Sequence, residues 1–370
     1  MAKKILVTGA DGFVAKNLIL KLQETGDHQV LSFRRGDPQE ILEKHLIRSD
    51  LVIHLAGENR PKDPSLFVKV NVGLTKIIAD FIRTRKLDLP IIFASSAQAR
   101  EGNVYGESKK AAEKILSELE EDCGNPIKVY RWPGLFGKWC KPNYNSVVAT
   151  FCKNVIENKR LEIFEPSKLL RLNYIDDVVD ALLLDLKSGW SGFSYGVVKN
   201  VYEISLKDLA SRIEAFKFTR STLDIGAVGG GLERALYATF VSYLEPQQFA
   251  YPIPSHEDDR GVFVEMLKTS SSGQFSYFSA KPGVTRGGHY HHSKTEKFLV
   301  IKGKARFRFR DVISDEKHEL YVDGTLPQVV DTATGWSHDI TNVGDEDLLV
   351  MLWANEVFDE NKPDTFFFET

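Results

Sequence analysis

Cysteine is rare in this 370-residue chain. Cys123, Cys140 and Cys152 are too few and too scattered for a disulfide framework, which points to a reducing compartment. Long apolar runs are missing too, so no segment reads as a membrane span. Met1-Ala2-Lys3-Lys4 leads straight into a short apolar strand with no signal peptide before it, and cytoplasmic residence is expected. Nor is there an excess of positive charge: 48 Lys and Arg stand against 51 Asp and Glu, and a formal net charge of −3 offers no basic surface for nucleic acid. No internal repeat is visible. With 42% hydrophobic and 27% charged residues the composition is that of a soluble globular protein, and the length exceeds one ordinary core, so two domains are expected.

Histidine and glycine, by contrast, are patterned. Residues 283–303 space them as GxxxxxHxHxxxxExxxxxxG, and three of the nine histidines fall within 289–292. Side chains alternate along a strand with period two, so His289 and His291 share a face, and Glu296 can return to the same point after a turn. A fourth ligand is expected from a later strand, where Gly335-Trp336-Ser337-His338 reads as turn and strand. Three imidazoles and a carboxylate suit zinc first, with iron, nickel and manganese as alternatives.

The other end of the chain is built differently. Residues 4–7 form an apolar strand that runs into Thr8-Gly9-Ala10-Asp11-Gly12-Phe13-Val14-Ala15 and then a helical pattern. Gly9 permits a tight turn, Gly12 lets the backbone approach a pyrophosphate, and Ala15 takes the place of the third glycine of a dinucleotide-binding loop. The second strand ends in Arg34-Arg35, where a carboxylate would hold the ribose 2′-hydroxyl of NAD. Arginines there suit the 2′-phosphate of NADPH, unless both are simply solvated. Tyr105 and Lys109 lie four apart at the start of a helix, hence on one face, and an ammonium beside a phenol favours phenolate. Ser96, at the end of the apolar strand 91–94, is the third member of that set.

Apolar runs alternate with amphipathic stretches up to about Leu186, as in a parallel sheet covered by helices, and give way to short strands and turns after about Tyr251. Residues 205–218 and 232–244 read as helices, and 245–255, with three prolines, reads as a linker. The expected division is 1–244 and 252–370.

Three resemblances follow from these residues. Residues 283–303 match the first motif of the cupin superfamily, an all-β jelly roll, although Ala333 stands where the second motif usually has proline. Asp259-Arg260-Gly261, Arg286-Gly287-Gly288-His289 and Glu296-Lys297-Phe298 resemble cupin-fold epimerases of nucleotide-linked 4-keto-6-deoxysugars. That resemblance implies that His289 removes a proton beside the ketone, Lys297 holds the oxyanion and Arg260 binds the nucleotide diphosphate. The two readings of His289 exclude each other, because a nitrogen bound to metal cannot accept a proton.

About the first 240 residues resemble the extended short-chain dehydrogenase/reductases, with a Rossmann-type doubly wound α/β sheet. Carried over, the cofactor would meet Thr8, Gly9, Asp11, Gly12, Phe13, Val14, Arg34, Arg35, Leu55, Ala56, Gly57, Lys109, Trp132 and Pro133, and the substrate Asn71, with Lys138 and Arg171 as candidates for the diphosphate. Seventeen residues between Phe33 and Leu51 are too few for the usual third strand, and Ala97-Gln98 replaces the Asp-Glu pair of 4,6-dehydratases, so the 4-ketosugar reductases are the nearer likeness. Taken whole, the chain resembles the reductase–cupin fusions of capsular polysaccharide synthesis in the UDP-N-acetyl-L-fucosamine pathway. This implies a homodimer with zinc in its cupin. It also implies a UDP-2-acetamido-2,6-dideoxy-4-hexulose that is epimerised at C3 and then reduced at C4 with NADPH to UDP-N-acetyl-6-deoxy-L-talosamine. A reductase with a non-catalytic, sugar-binding or dimerising cupin is the alternative, and an NADP-binding sensor without chemistry a further one.

Overall fold

Strand β1 (Lys3–Thr8) buries Ile5, Leu6 and Val7 on both faces, the mark of an interior strand of a parallel sheet. The computed structural model describes residues 2–254, 256–258, 261–263, 266–267, 269, 273–356, 359 and 361–370. After β1 come α1 (Phe13–Thr25), β2 (His28–Phe33), α2 (Gln39–Arg48), β3 (Leu51–His54), α3 (Gly73–Arg85), β4 (Ile91–Ser96), α4 (Val104–Cys123) and β5 (Ile127–Trp132). With the strand Phe193–Tyr195 they form a six-stranded sheet in the order β2-β1-β3-β4-β5-193–195, parallel throughout. Only one strand lies outside β1, because the short 34–50 segment is used up by α2. The sequence order reverses between β1 and β3, so the crevice at their carboxyl ends is where a doubly wound sheet takes its ligand.

The packing explains these elements. Leu6, Val52, Ile91, Phe93, Ile127 and Val129 of the sheet meet Ile78 and Ile82 of α3 and Leu116 and Leu119 of α4 in one buried cluster. Each such side chain contributes about 1.5–3 kcal/mol by leaving water. Helix α1 ends at Gly26, whose φ of 66° is the left-handed conformation of a glycine C-cap.

By packing, the chain divides into two compact units, Met1–Ser146 with Leu170–Glu203, and Val147–Leu169 with Ile204–Thr370. In the second, two five-stranded antiparallel sheets carry the core. One is ordered Ala250–Pro252, Gln328–Thr332, Glu296–Lys302, Leu348–Ala354, Gln274–Ala280. The other is ordered Lys317–Asp323, Lys304–Asp311, Trp336–Asn342, Thr285–Tyr290, Phe366–Phe367. Phe298, Phe307, Phe309, Val329, Val350 and Trp353 are buried. The helices Val147–Ile156, Leu206–Thr222 and Gly231–Val241 belong to this unit, although the sequence boundary at 244 groups them with the N-terminal domain. The linker expected at 245–255 is itself structured: Ala250, Tyr251 and Pro252 pair with Val330, Val329 and Gln328.

Candidate functional sites

The loop after β1 is shaped by glycine. Gly9 has φ 67°, and a Cβ there would stand 2.8 Å from the Cα of Ala56, so the 55–57 segment and the first loop approach as closely as backbone allows. The N-cap of α1 is Gly12, which has no side chain to bond the first turn, and those N–H groups face the place where a pyrophosphate would bind. Thr8 Oγ1 ties the two loops together: it lies 2.7 Å from His54 Nδ1 and accepts from Ala56 N at 3.2 Å. Burial, reinforced by Lys109, lowers His54 to about 3, so it stays a neutral spacer that also reaches Thr75 Oγ1 at 2.9 Å. At the end of β2, Arg34 Nε pairs with Asp11 at 3.2 Å and Arg35 with Glu58. A uncapped helix start, a glycine turn and two arginines at the ribose end fit a phosphorylated dinucleotide.

Asn103 caps α4 by accepting from Gly106 N at 2.8 Å, which starts the helix in the register that turns Tyr105 and Lys109 inward. Ser96, the serine expected as third member, ends β4 and lies near Tyr105. Burial pushes the Tyr105 phenol up, with Ser96 pulling the other way. Lys109 is buried and donates to Ala94 O at 2.8 Å, and its ammonium lies 5.1 Å from the Phe93 ring centre. Desolvation lowers it to about 8, opposed by Glu113. Lys109 gives Ala94 O one of its three N–H bonds, and burial, the largest effect at Tyr105, leaves the phenol above its ordinary value instead of below it.

The sequence reading missed Glu113, which follows Tyr105 and Lys109 at the next step of four on α4. It is buried, bonded to Arg131 through both oxygens and to Ser95 Oγ. The i, i+4, i+8 series was the signal that could have found it. Trp132, at the end of β5, is buried with its indole nitrogen unpartnered, beside Pro133.

The residues expected to meet substrate fare unevenly. Asn71 is buried with its amide spent: Oδ1 accepts from Glu58 N at 2.7 Å, and Nδ2 donates to Glu58 O at 3.1 Å and Ser108 Oγ at 2.9 Å. Lys138 is buried too, paired with Asp176 at 2.8 Å, a structural ion pair rather than a free diphosphate ligand. Arg171 is exposed and pairs with Glu203 at 3.1 Å. Arg260 lies outside the described residues.

In the second unit, His289, His291, Glu296 and His338 present ligand atoms all within 4.8 Å of one another. His289 and His338 face each other directly across paired strands, and Gly287 makes the approach possible, since with φ 107° its Cβ would stand 2.7 Å from His338 O. His291 Nε2 and His338 Nε2 lie 3.1 and 3.3 Å from Glu296 Oε2. Apart from that Glu296 contact, both His338 nitrogens are buried without a hydrogen-bond partner, as befits lone-pair donors of a metal site. Burial, reinforced by His338 and His291, lowers His289 to about 3, and burial also lowers His338. Burial works to raise the Glu296 carboxyl, but His291 and His338 hold it well below the usual range. Three imidazoles beside a carboxylate fit a divalent cation.

Lys297 is not part of this cluster. It follows Glu296 on the same strand, so the two side chains leave opposite faces. Lys297 Nζ is buried 2.5 Å from Asp331 and 3.2 Å from Tyr251 OH, and Asp331 also binds Arg220. Burial would lower the lysine, but Asp331 overcomes it and holds the ammonium charged. Lys297, expected to hold an oxyanion beside His289, here pairs with Asp331.

Residues 5–199 match the NAD dependent epimerase/dehydratase family, and residues 256–366 the polysaccharide biosynthesis C-terminal domain. The chain belongs to the NAD dependent epimerase/dehydratase family. Within it, a protein of Pseudomonas aeruginosa described as UDP-2-acetamido-2,6-beta-L-arabino-hexul-4-ose reductase is 49% identical over 364 residues, 98% of each chain. The capsular polysaccharide assembling protein CapF from Staphylococcus aureus is similar in structure with TM-score 0.67 and 41% identity, over 99% of this chain and 100% of that one. A UDP-glucuronic acid 4-epimerase from Bacillus cereus, 21% identical with TM-score 0.53 over 58% of this chain and 82% of its own, shares the fold of the epimerase/dehydratase part. Among the described residues no helix is long and apolar enough to cross a membrane.

Proposed function

We propose that this epimerase/dehydratase family member is a bifunctional nucleotide-sugar enzyme, a cytoplasmic homodimer that epimerises a UDP-2-acetamido-2,6-dideoxy-4-hexulose at C3 and reduces its C4 ketone with NADPH. The product is UDP-N-acetyl-6-deoxy-L-talosamine, for capsular polysaccharide. The carrying observation is that one chain, similar from end to end to a 4-ketosugar reductase, holds both the Ser96–Tyr105 pair and the four-residue His/Glu cluster.

NADPH, when bound, supplies hydride to C4. Tyr105 gives its proton to the C4 oxygen, with Ser96 near it favouring the phenolate that results. The charge of Lys109 favours the phenolate that is left and the cofactor ribose beside it. Arg34 and Arg35 exchange Asp11 and Glu58 for the 2′-phosphate. In the cupin, His289, His291, Glu296 and His338 would hold a zinc ion, which would supply Lewis acidity toward the ketone and its neighbouring C–H bonds.

A second reading is favoured by one observation: His289 is the least buried of the four. There, three residues hold the metal and neutral His289 removes the C3 proton. Either way deprotonation at C3 needs the ketone, so epimerisation precedes reduction.

The test is mass spectrometry of the 4-ketosugar nucleotide after incubation in heavy water, with and without NADPH. Tyr105→Phe is expected to abolish NADPH oxidation and keep deuterium entry, and His289→Ala to abolish deuterium entry. If His289→Ala keeps its metal, His289 is the base; if the metal is lost, it is a ligand. Absence of deuterium from the wild-type reaction would leave a reductase with a non-catalytic cupin.

A further inference from the structure

The chain between His291 and Glu296 has no regular secondary structure, yet it must bring two ligands to one point. Three consecutive N–H groups of this turn are gathered by one carboxylate from far along the sequence. His292 N donates to Asp364 Oδ1 at 2.9 Å, Ser293 N and Lys294 N each donate to Oδ2 at 2.7 Å, and Ser293 Oγ donates to Oδ2 at 3.0 Å. Converging N–H groups of this kind form an anion-binding nest, here filled by the protein's own tail. Arg234, 3.8 Å from the same oxygen, balances its charge.

The main chain of Asp364 adds a second constraint. Its carbonyl oxygen meets His291 Nδ1. A carbonyl only accepts, so Nδ1 carries the proton and the lone pair is left on Nε2, the nitrogen that faces Glu296. Beyond Asp364 the tail stays on the ligand strand: Phe366 and Phe367 pair with Tyr290 and His289, and Phe368 N donates to Gly288 O.

We propose that Asp364 is a positioning residue of the metal cluster, its carboxylate fixing the turn that joins His291 to Glu296 and its carbonyl fixing the His291 tautomer that can bind metal. This rests on the reading of the cluster as a metal site. Outer partners of this kind typically carry 10–100-fold in metal affinity.

The experiment strips full-length protein of metal and titrates Zn2+ against a chromophoric chelator, with Co2+ absorption as a readout of the ligand set. Asp364→Ala is expected to weaken Zn2+ binding about 10–100-fold and to alter the Co2+ band. Asp364→Asn, which keeps one acceptor oxygen, is expected to fall between. Arg310→Ala loosens the far end of the tail, where Arg310 donates to Glu369 O at 2.8 Å, and is expected to bind as wild type does. Wild-type affinity and band in Asp364→Ala, or equal losses in Asp364→Ala and Arg310→Ala, overturns the proposal alone. A wild-type chain that binds neither Zn2+ nor Co2+ overturns the metal reading and this proposal with it.

Discussion

Replacing Lys109 by methionine is expected to make the cofactor-free protein more stable at pH 7 while abolishing reduction. The ammonium is buried, and its fall from the ordinary 10.5 to about 8 corresponds to about 3 kcal/mol of desolvation that the folded chain bears whenever the lysine is charged. Methionine keeps the stem and its packing and removes that cost. It also leaves Ala94 O without the 2.8 Å bond from Nζ, a loss of about 1 kcal/mol, so the net gain at pH 7 is about 2 kcal/mol. The sign reverses with pH. Because the folded value lies below the unfolded one, the unfolded wild-type chain binds more protons between pH 8 and 10.5, and wild-type stability rises through that window. Well above pH 10.5 the lysine is neutral in both states and the variant is the less stable protein by about 1 kcal/mol. Denaturant unfolding of both proteins at pH 7, 8.5 and 10, at fixed salt and without cofactor, measures this directly. A difference that does not change with pH, or a variant less stable at pH 7, refutes the reasoning.

Arg34→Ala is expected to lower kcat/KM for NADPH by about 10–100-fold, the worth of one charge-assisted hydrogen bond, and to leave NADH little changed. Equal losses with the two cofactors in steady-state assays contradict this. Dialysis against a chelator is expected to remove about one metal ion per chain by elemental analysis and to stop deuterium exchange; full exchange in metal-free protein retires the metal. Lys297→Met breaks a buried ion pair and is expected to cost about 3 kcal/mol in unfolding while leaving exchange per folded molecule near wild type. Loss of exchange at unchanged stability would return Lys297 to the chemistry.

The His/Glu cluster was legible because period two is strict: it puts His289 and His291 on one face, and a turn and strand at 335–338 delivers His338. The same rule separates Glu296 from Lys297, and the motif likeness concealed it. The parallel sheet with one strand missing outside β1 followed from counting residues between Phe33 and Leu51. Partners distant in sequence were not legible. Nothing local marks Asp176 as the partner of Lys138, or Asp364 as the holder of residues 292–294. An amphipathic pattern shows that a helix buries a face without naming what covers it, so it does not say in which unit the helices Leu206–Thr222 and Gly231–Val241 pack.

The division into units has a consequence for taking this protein apart. The chain changes unit at 146/147, at 169/170 and again at 203/204. A single cut anywhere therefore strands residues of one unit on the fragment carrying the other, and expressing residues 252–370 alone would leave out three helices that pack within their own unit. The two units are joined like interleaved pages, not beads on a string, so separating what each contributes calls for point substitutions in the intact chain.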